Sequence, residues 1–192
     1  MLIQSHAATI ISGVGARQCP LRRPDTGGTN RSMSKSLKRV RAALEAAAID
    51  TEIRETALAR TAMDAATALG CEIDQIAKSI VLRGEISGTA LLFITAGGNK
   101  VDADKATKLA KEPLGKADAA LIRAQTGFAI GGVSPVGHLT PIKAFFDPRL
   151  LEFAVIWAAA GTPNHVFRAN PQVLARISGA QTYDFTTKIR NM

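Results

Sequence analysis

Residues 75–97, QIAKSIVLRGEISGTALLFITAG, constrain this chain more than any other stretch. Two runs rich in β-branched and aliphatic residues flank a short turn holding Gly84 and Gly88, the pattern of two adjacent strands. In the first run Ile76, Lys78, Ile80 and Leu82 share one face, and Ala77, Ser79, Val81 and Arg83 the other. Lys78 therefore stands in an apolar row. A lysine there either snorkels from a strand end or is held in a cleft for use, and the pattern leaves both readings open.

The surrounding sequence mixes helices and strands. Ser34 caps a run in which Leu37, Val40, Leu44 and Ala48 recur at three- and four-residue spacing, while Lys38, Arg39 and Arg41 face elsewhere. TEIRET alternates like a short strand. TAMDAATALG reads as a helix with Thr61 as cap and Gly70 as stop. DADKATKLAKE predicts a helix ended by Pro113, and ADAALIRAQTG another ended by Gly127. Farther on come a strand KAFFD, a turn DPRL, a buried strand FAVIWAAAG, a strand HVFRA, a helix NPQVLARISG and a last strand TYDF. No regular βα alternation and no internal repeat is present. The expectation is one α+β domain, a mixed β-sheet flanked by helices, rather than a doubly wound fold.

The length of 192 residues, 46% of them apolar, suits a single domain with a substantial core. Residues 1–32 are rich in Gly, Pro, Arg and Ser without a period. They read as a disordered N-terminal extension or a basic arm, before a domain spanning 33–192 that opens at Met33. Net charge is +8, of which +3 falls in residues 1–32. Such an excess favours polyanionic partners. One Tyr, one Trp and seven Phe are few stacking platforms for a dedicated single-strand binder. Cys19 and Cys71 form no CxxC pair, and three scattered histidines complete no zinc pattern. No metal or other cofactor is expected, and a reduced, cytoplasmic setting is.

Residues 126–138, TGFAIGGVSPVGH, hold four glycines. Gly132, Ser134 and Gly137 give G-x-S-x-x-G, one residue longer than a hydrolase elbow. Pro135 excludes that elbow, because the residue after the nucleophile must donate its N–H to the oxyanion and proline has none. GGNK at 97–100 lacks the earlier Gly and the Ser/Thr of a phosphate loop. What remains is a rigid loop whose Gly131, Gly132 and Gly137 allow close approach of a ligand, or an ordinary surface turn. A third element, AAGTPNHVFRANP, ends a buried strand at Gly161 and presents Asn164 and His165 after Pro163. A histidine there is either structural or functional.

QIAKSIVLR, TGFAIGGVSPVGH and AAGTPNHVF, in this order and behind the leading helix and ALG, resemble the YbaK/EbsC family. These are free-standing relatives of the prolyl-tRNA synthetase editing insertion. The resemblance runs from about Ser34 to Phe185. It implies a compact fold with a mixed, curved sheet and hydrolysis of amino acids wrongly attached to tRNA, most often tRNA for proline. By similarity Lys78 is the catalytic or substrate-positioning lysine. Gly131, Gly132, Ser134 and Pro135 lie beside the aminoacyl ester with Gly137 and His138, and Gly161, Asn164 and His165 form a second substrate motif. The implied partners are aminoacyl-tRNA and a prolyl-tRNA synthetase, with no DNA and no membrane. The competing classes are a non-catalytic RNA- or synthetase-binding module and a small-ester hydrolase, the latter weakened by Pro135.

Overall fold

The computed structural model describes residues 33–56 and 59–189; the expected extension at 1–32 lies outside the described residues. In chain order they form α1 (Lys35–Ala46), β1 (Ile53–Glu55), α2 (Ala62–Leu69), β2 (Ile76–Gly84), β3 (Ala90–Ala96), β4 (Asn99–Val101), α3 (Ala103–Ala110), β5 (Leu114–Lys116), α4 (Ala119–Thr126), β6 (Lys143–Phe146), β7 (Ile156–Ala159), β8 (His165–Ala169), α5 (Pro171–Ile177), β9 (Gln181–Thr182) and β10 (Thr186–Lys188). No helix among the described residues is long and apolar enough to cross a membrane.

Local chemistry sets the helix ends. Ser34 Oγ accepts the Leu37 N–H at 3.2 Å. Thr61 and Asp64 exchange side-chain bonds with each other's backbone N–H at 3.1 Å, a reciprocal cap that satisfies two orphan donors. Asp102, Asp118 and Asn170 cap α3, α4 and α5 one-sidedly, each side chain accepting backbone N–H bonds from the first turn.

The long hairpin is the centre of the sheet. β2 and β3 pair antiparallel from Ala77↔Ala96 to Arg83↔Ala90, with Lys78 opposite Thr95. The order of the eight-stranded sheet is β1-β8-β7-β2-β3-β6-β9, with β5 also pairing β2. β2–β7, β3–β6 and β6–β9 are parallel, and the other pairs antiparallel, so the sheet is mixed. β4 and β10 form a separate two-stranded ribbon.

Four short strands, β4, β5, β9 and β10, depart from the sequence pattern. β4 and β5 have three residues each, too few to display a period of two, and pairing with β10 and β2 creates them. TYDF is not one strand. β9 stops at Thr182, and the chain turns inward to bury Phe185 completely against Phe93, ring centroids 5.1 Å apart, before β10 begins. FAVIWAAAG yields a strand only over Ile156–Ala159.

Helices and loops cover the two faces of the hairpin unequally. One face, with Ala77, Leu92, Ile94 and Ala96, packs against Leu37, Val40 and Leu44 of α1, Ile122 of α4 and Leu174 of α5 in one continuous core. The other face is covered by two separate clusters. Leu91, Phe93, Phe145 and Phe185 gather with α3 and the partly buried Ile80 and Leu82. Ile76 and Trp157 gather with Ala66 of α2. Lys78 belongs to this face, between Ile76 and Ile80, and so marks the seam between the two clusters.

Candidate active site

The seam opens into a cleft of about 360 Å³. Its lining includes Arg60, Ala62 and Ala65, Ile76, Lys78 and Ile80 of β2, Ile130, Gly131 and Val133 of the glycine loop, Trp157, and Thr162, Pro163 and His165. The walls are mostly apolar, with a few polar groups among them, the usual make-up of a small-ligand site.

Lys78 is half-buried and its Nζ donates to the Asn99 carbonyl. Burial holds its pKa below the ordinary lysine value, and the carboxylates of Asp147 and Asp74 oppose that shift. The side chain does not snorkel out from a strand end. It sits mid-sheet in the cleft lining, hydrogen-bonded to backbone.

His165 opens β8, and its Nδ1 lies 2.7 Å from Thr162 Oγ1 across the intervening turn. That contact fixes the ring's orientation at the cleft wall. Asn164, one residue earlier, is outside the lining; its carbonyl accepts the Thr56 N–H at 2.7 Å and ties the turn to the end of β1. Gly161 is buried with φ +91°, and a Cβ there would meet the Ser36 carbonyl at 2.9 Å, so it serves the contact with α1.

The glycine loop divides into two parts. Gly131 stands exposed at the cleft, with φ +85°, a conformation that favours glycine. Gly132 is buried, and its N–H is engaged by the Ala129 carbonyl at 3.0 Å. A Cβ on it would lie 2.7 Å from the Thr162 backbone, so the close approach it permits is between two protein loops.

Ser134, Pro135, Gly137 and His138 are not in the cleft lining. Ser134 is fully buried and its Oγ accepts the Val136 N–H at 3.3 Å. His138 Nε2 is 2.7 Å from the Ser134 carbonyl, and a carbonyl only accepts, so that nitrogen carries the proton. Burial lowers the His138 pKa; the Ser134 bond opposes this and nearby Arg39 adds to it. These residues form the frame that carries Gly131 to the cleft.

Arg39 holds that frame to α1, although the helical pattern assigns it to the solvent side. Its Nη2 donates to the Gly127 carbonyl at 2.8 Å and its Nε to the Gly137 carbonyl at 3.2 Å. Its guanidinium lies 4.8 Å from the Phe128 ring centroid. An arginine on a helix beside a glycine loop was the available signal, but spacing alone does not show which arginine bends inward.

The family comparison bears on this arrangement. The model of the aminoacyl-tRNA editing domain matches residues 56–177, a range that contains β2, the whole glycine loop and the turn before β8. The chain belongs to the aminoacyl-tRNA editing domain family. The editing domain is 46% identical to a solved structure described as a candidate trans-editing enzyme for prolyl tRNA synthetase, with a TM-score of 0.75 over 81% of this chain and 99% of that one. A scaffold protein used for epitope backbone grafting is 44% identical, with the same TM-score and the same coverage of both chains. The uncharacterized protein YwhH of Bacillus subtilis is 28% identical over 123 residues, 64% of this chain and 78% of its own. The YbaK-like resemblance and the α+β fold with a mixed sheet agree with these neighbours.

Proposed function

We propose that this editing domain is a free-standing deacylase that removes a small wrong amino acid, such as alanine or cysteine, from tRNA for proline. The observation that carries the reading is the position of Lys78. The chain places an ammonium group, with Thr95 opposite it, at the seam of a mostly apolar sheet face, beside small and aliphatic walls supplied by Ala62, Ala65, Ile76 and Val133. A pocket of that kind admits a small side chain and excludes larger ones by volume, the sieve used where binding alone separates similar amino acids poorly.

The chemistry asks little of the protein. An aminoacyl ester is already activated. A water oxygen, positioned by the site or assisted by the ribose 2′-hydroxyl, attacks the ester carbonyl; the bond to the ribose oxygen breaks, that oxygen takes up the proton the water gives up, and free amino acid and tRNA remain. Lys78 either fixes the terminal phosphate or polarises the carbonyl. Fixed donors near the developing oxyanion contribute about 3 kcal/mol each. Of the two loop glycines, Gly131 presents its backbone to the cleft, because the Gly132 N–H is already engaged. His165, oriented by Thr162, contributes a polar group to the same wall. The remaining predicted contacts, at Gly132, Ser134, Pro135, Gly137, His138, Gly161 and Asn164, act by holding these groups in place. A prolyl-tRNA synthetase is a fitting partner, since it makes the mischarged substrate.

The test is deacylation of a panel of tRNAs charged with cognate and non-cognate amino acids. Release of alanine or cysteine from proline tRNA, with proline left attached, is the expected result. Binding of the charged tRNA without turnover, or no preference among charged amino acids, would refute the reading.

A further inference from the structure

Asp147 is a carboxylate only 1% exposed, between the buried Phe146 and the exposed Pro148, and the chemistry described so far does not use it. Its two oxygens do different work. Oδ1 accepts the Arg149 N–H at 3.0 Å and so caps the short 3-10 turn that follows. Oδ2 takes two further bonds, from the Ala96 N–H at 3.1 Å and from Asn99 Nδ2 at 2.8 Å. Capping alone needs the first oxygen. The second is committed to both ends of the turn between β3 and β4. The middle of that turn is held as well: Asp74 Oδ1 accepts the Gly98 N–H at 2.8 Å, and Arg149 Nε holds the other Asp74 oxygen at 2.9 Å.

The turn braced in this way carries the carbonyl of Asn99, and that carbonyl is the acceptor for Lys78 Nζ. Asn99 is itself buried, 6% exposed. A backbone carbonyl cannot be tuned by changing its own residue type. Its position is set by whatever fixes the turn, and Asp147 holds both ends of it, through the Ala96 N–H and the Asn99 carboxamide, beside Asp74 at Gly98 and the pairing of Asn99 with β10.

We propose that Asp147 is a positioning residue for Lys78, holding the lysine ammonium at the cleft through Asn99. The inference rests on the reading of Lys78 as the working group of the cleft. The charged and titratable groups around Lys78 are Asp147 and Asp74, with Arg149 paired to Asp74, and Arg60 and His165 in the same cleft. Asp147 is the larger of the two carboxylate influences that favour the charged lysine.

The experiment follows the Lys78 side chain directly. Lysine labelled with carbon-13 and nitrogen-15 is titrated by NMR in the full chain, and the Lys78 resonance is assigned by its loss in Lys78→Arg. In folded Asp147→Asn the Lys78 resonance should titrate at lower pH than in wild type, with the surface lysines unmoved. Turnover of alanine-charged proline tRNA should fall about ten- to a hundredfold in kcat with KM little changed, the expected cost of a misplaced working group. Asn99→Ala keeps the carboxylate but cuts the link, and should reproduce the loss in kcat. An unshifted Lys78 titration in folded Asp147→Asn, or wild-type kcat in folded Asn99→Ala, would overturn the proposal and leave Asp147 as a cap. The titration reads Asp147 whether or not the wild-type chain deacylates tRNA, so this inference and the proposed function fail separately.

Discussion

A Cβ placed on Gly132 would lie 2.7 Å from the Cα of Thr162, closer than two such atoms approach in folded proteins. The glycine loop and the His165 turn are thus in backbone contact, and the cleft wall depends on it. Gly132→Ala should push the two loops apart, costing about 1–3 kcal/mol as overpacking does. Because Thr162 orients His165, deacylation should fall as well. Thermal melting and steady-state deacylation of this variant check both effects. A variant with wild-type melting and turnover would show that the loops part freely.

Lys78→Met should abolish deacylation and raise the melting temperature. Burial depresses the lysine pKa in the fold, so between the folded value and the unfolded value of about 10.4 the unfolded chain binds more protons. The cost of keeping Lys78 charged is fully present below its folded pKa and is relieved as pH rises through that window. The stability advantage of Lys78→Met should therefore be largest near neutrality and shrink in alkali. Melting curves from pH 7 to 10.5 on both proteins measure it; a less stable Lys78→Met at pH 7 would contradict the argument.

His138 should act on stability rather than turnover. Burial holds the pKa of its ring below the usual value of about 6.5, which favours the neutral form in the fold. Stability is then present above that value and is lost as pH falls from it through the folded pKa, because the unfolded chain takes up the proton first. Wild type should lose more melting temperature between pH 7.5 and 5 than His138→Gln does. At pH 7.5 kcat should stay within about threefold of wild type, as the ring is outside the cleft lining. A far larger kcat loss with unchanged melting would return His138 to the site.

Arg39→Ala removes two charge-assisted bonds to loop carbonyls and the contact with Phe128. The expected loss is about 2 kcal/mol of stability. Arg39→Lys should recover little of it, since a lysine cannot reach both carbonyls with one planar group. Denaturant unfolding of the two variants gives the comparison.

Ser134→Ala should be mild. The hydroxyl is buried and accepts the Val136 N–H, so its loss costs about 1 kcal/mol and leaves kcat near wild type. Trapping a covalent acyl group on Ser134 would instead require nucleophilic catalysis.

The sequence by itself determined the parts that depend on near neighbours. Ser34, Thr61, Gly70 and Gly127 set helix ends, because caps and left-handed stops act within one turn of chain. The alternation of Ile76, Lys78, Ile80 and Leu82 identified the misplaced lysine, because the two faces of a strand are fixed by parity. Pro135 removed the hydrolase elbow without any structure, because a missing N–H is a covalent fact. Tertiary structure decided what the chain brings together across long separations. β4 and β5 exist only through partners 87 and 32 residues away, as Lys100 pairs with Thr187 of β10 and Gly115 with Arg83 of β2. TYDF reads as a strand until Phe185 is drawn under Phe93. Of the glycine loop, only the stretch around Gly131 faces the cleft, while Ser134 and His138 support it from behind, a division set by the contact with Arg39 on α1. The Asp147–Asn99–Lys78 connection joins the residue after β6 to the first residue of β4 and to β2, 48 and 21 residues apart, and only the packed fold brings the carboxylate to the Asn99 carboxamide and the ammonium to the Asn99 carbonyl.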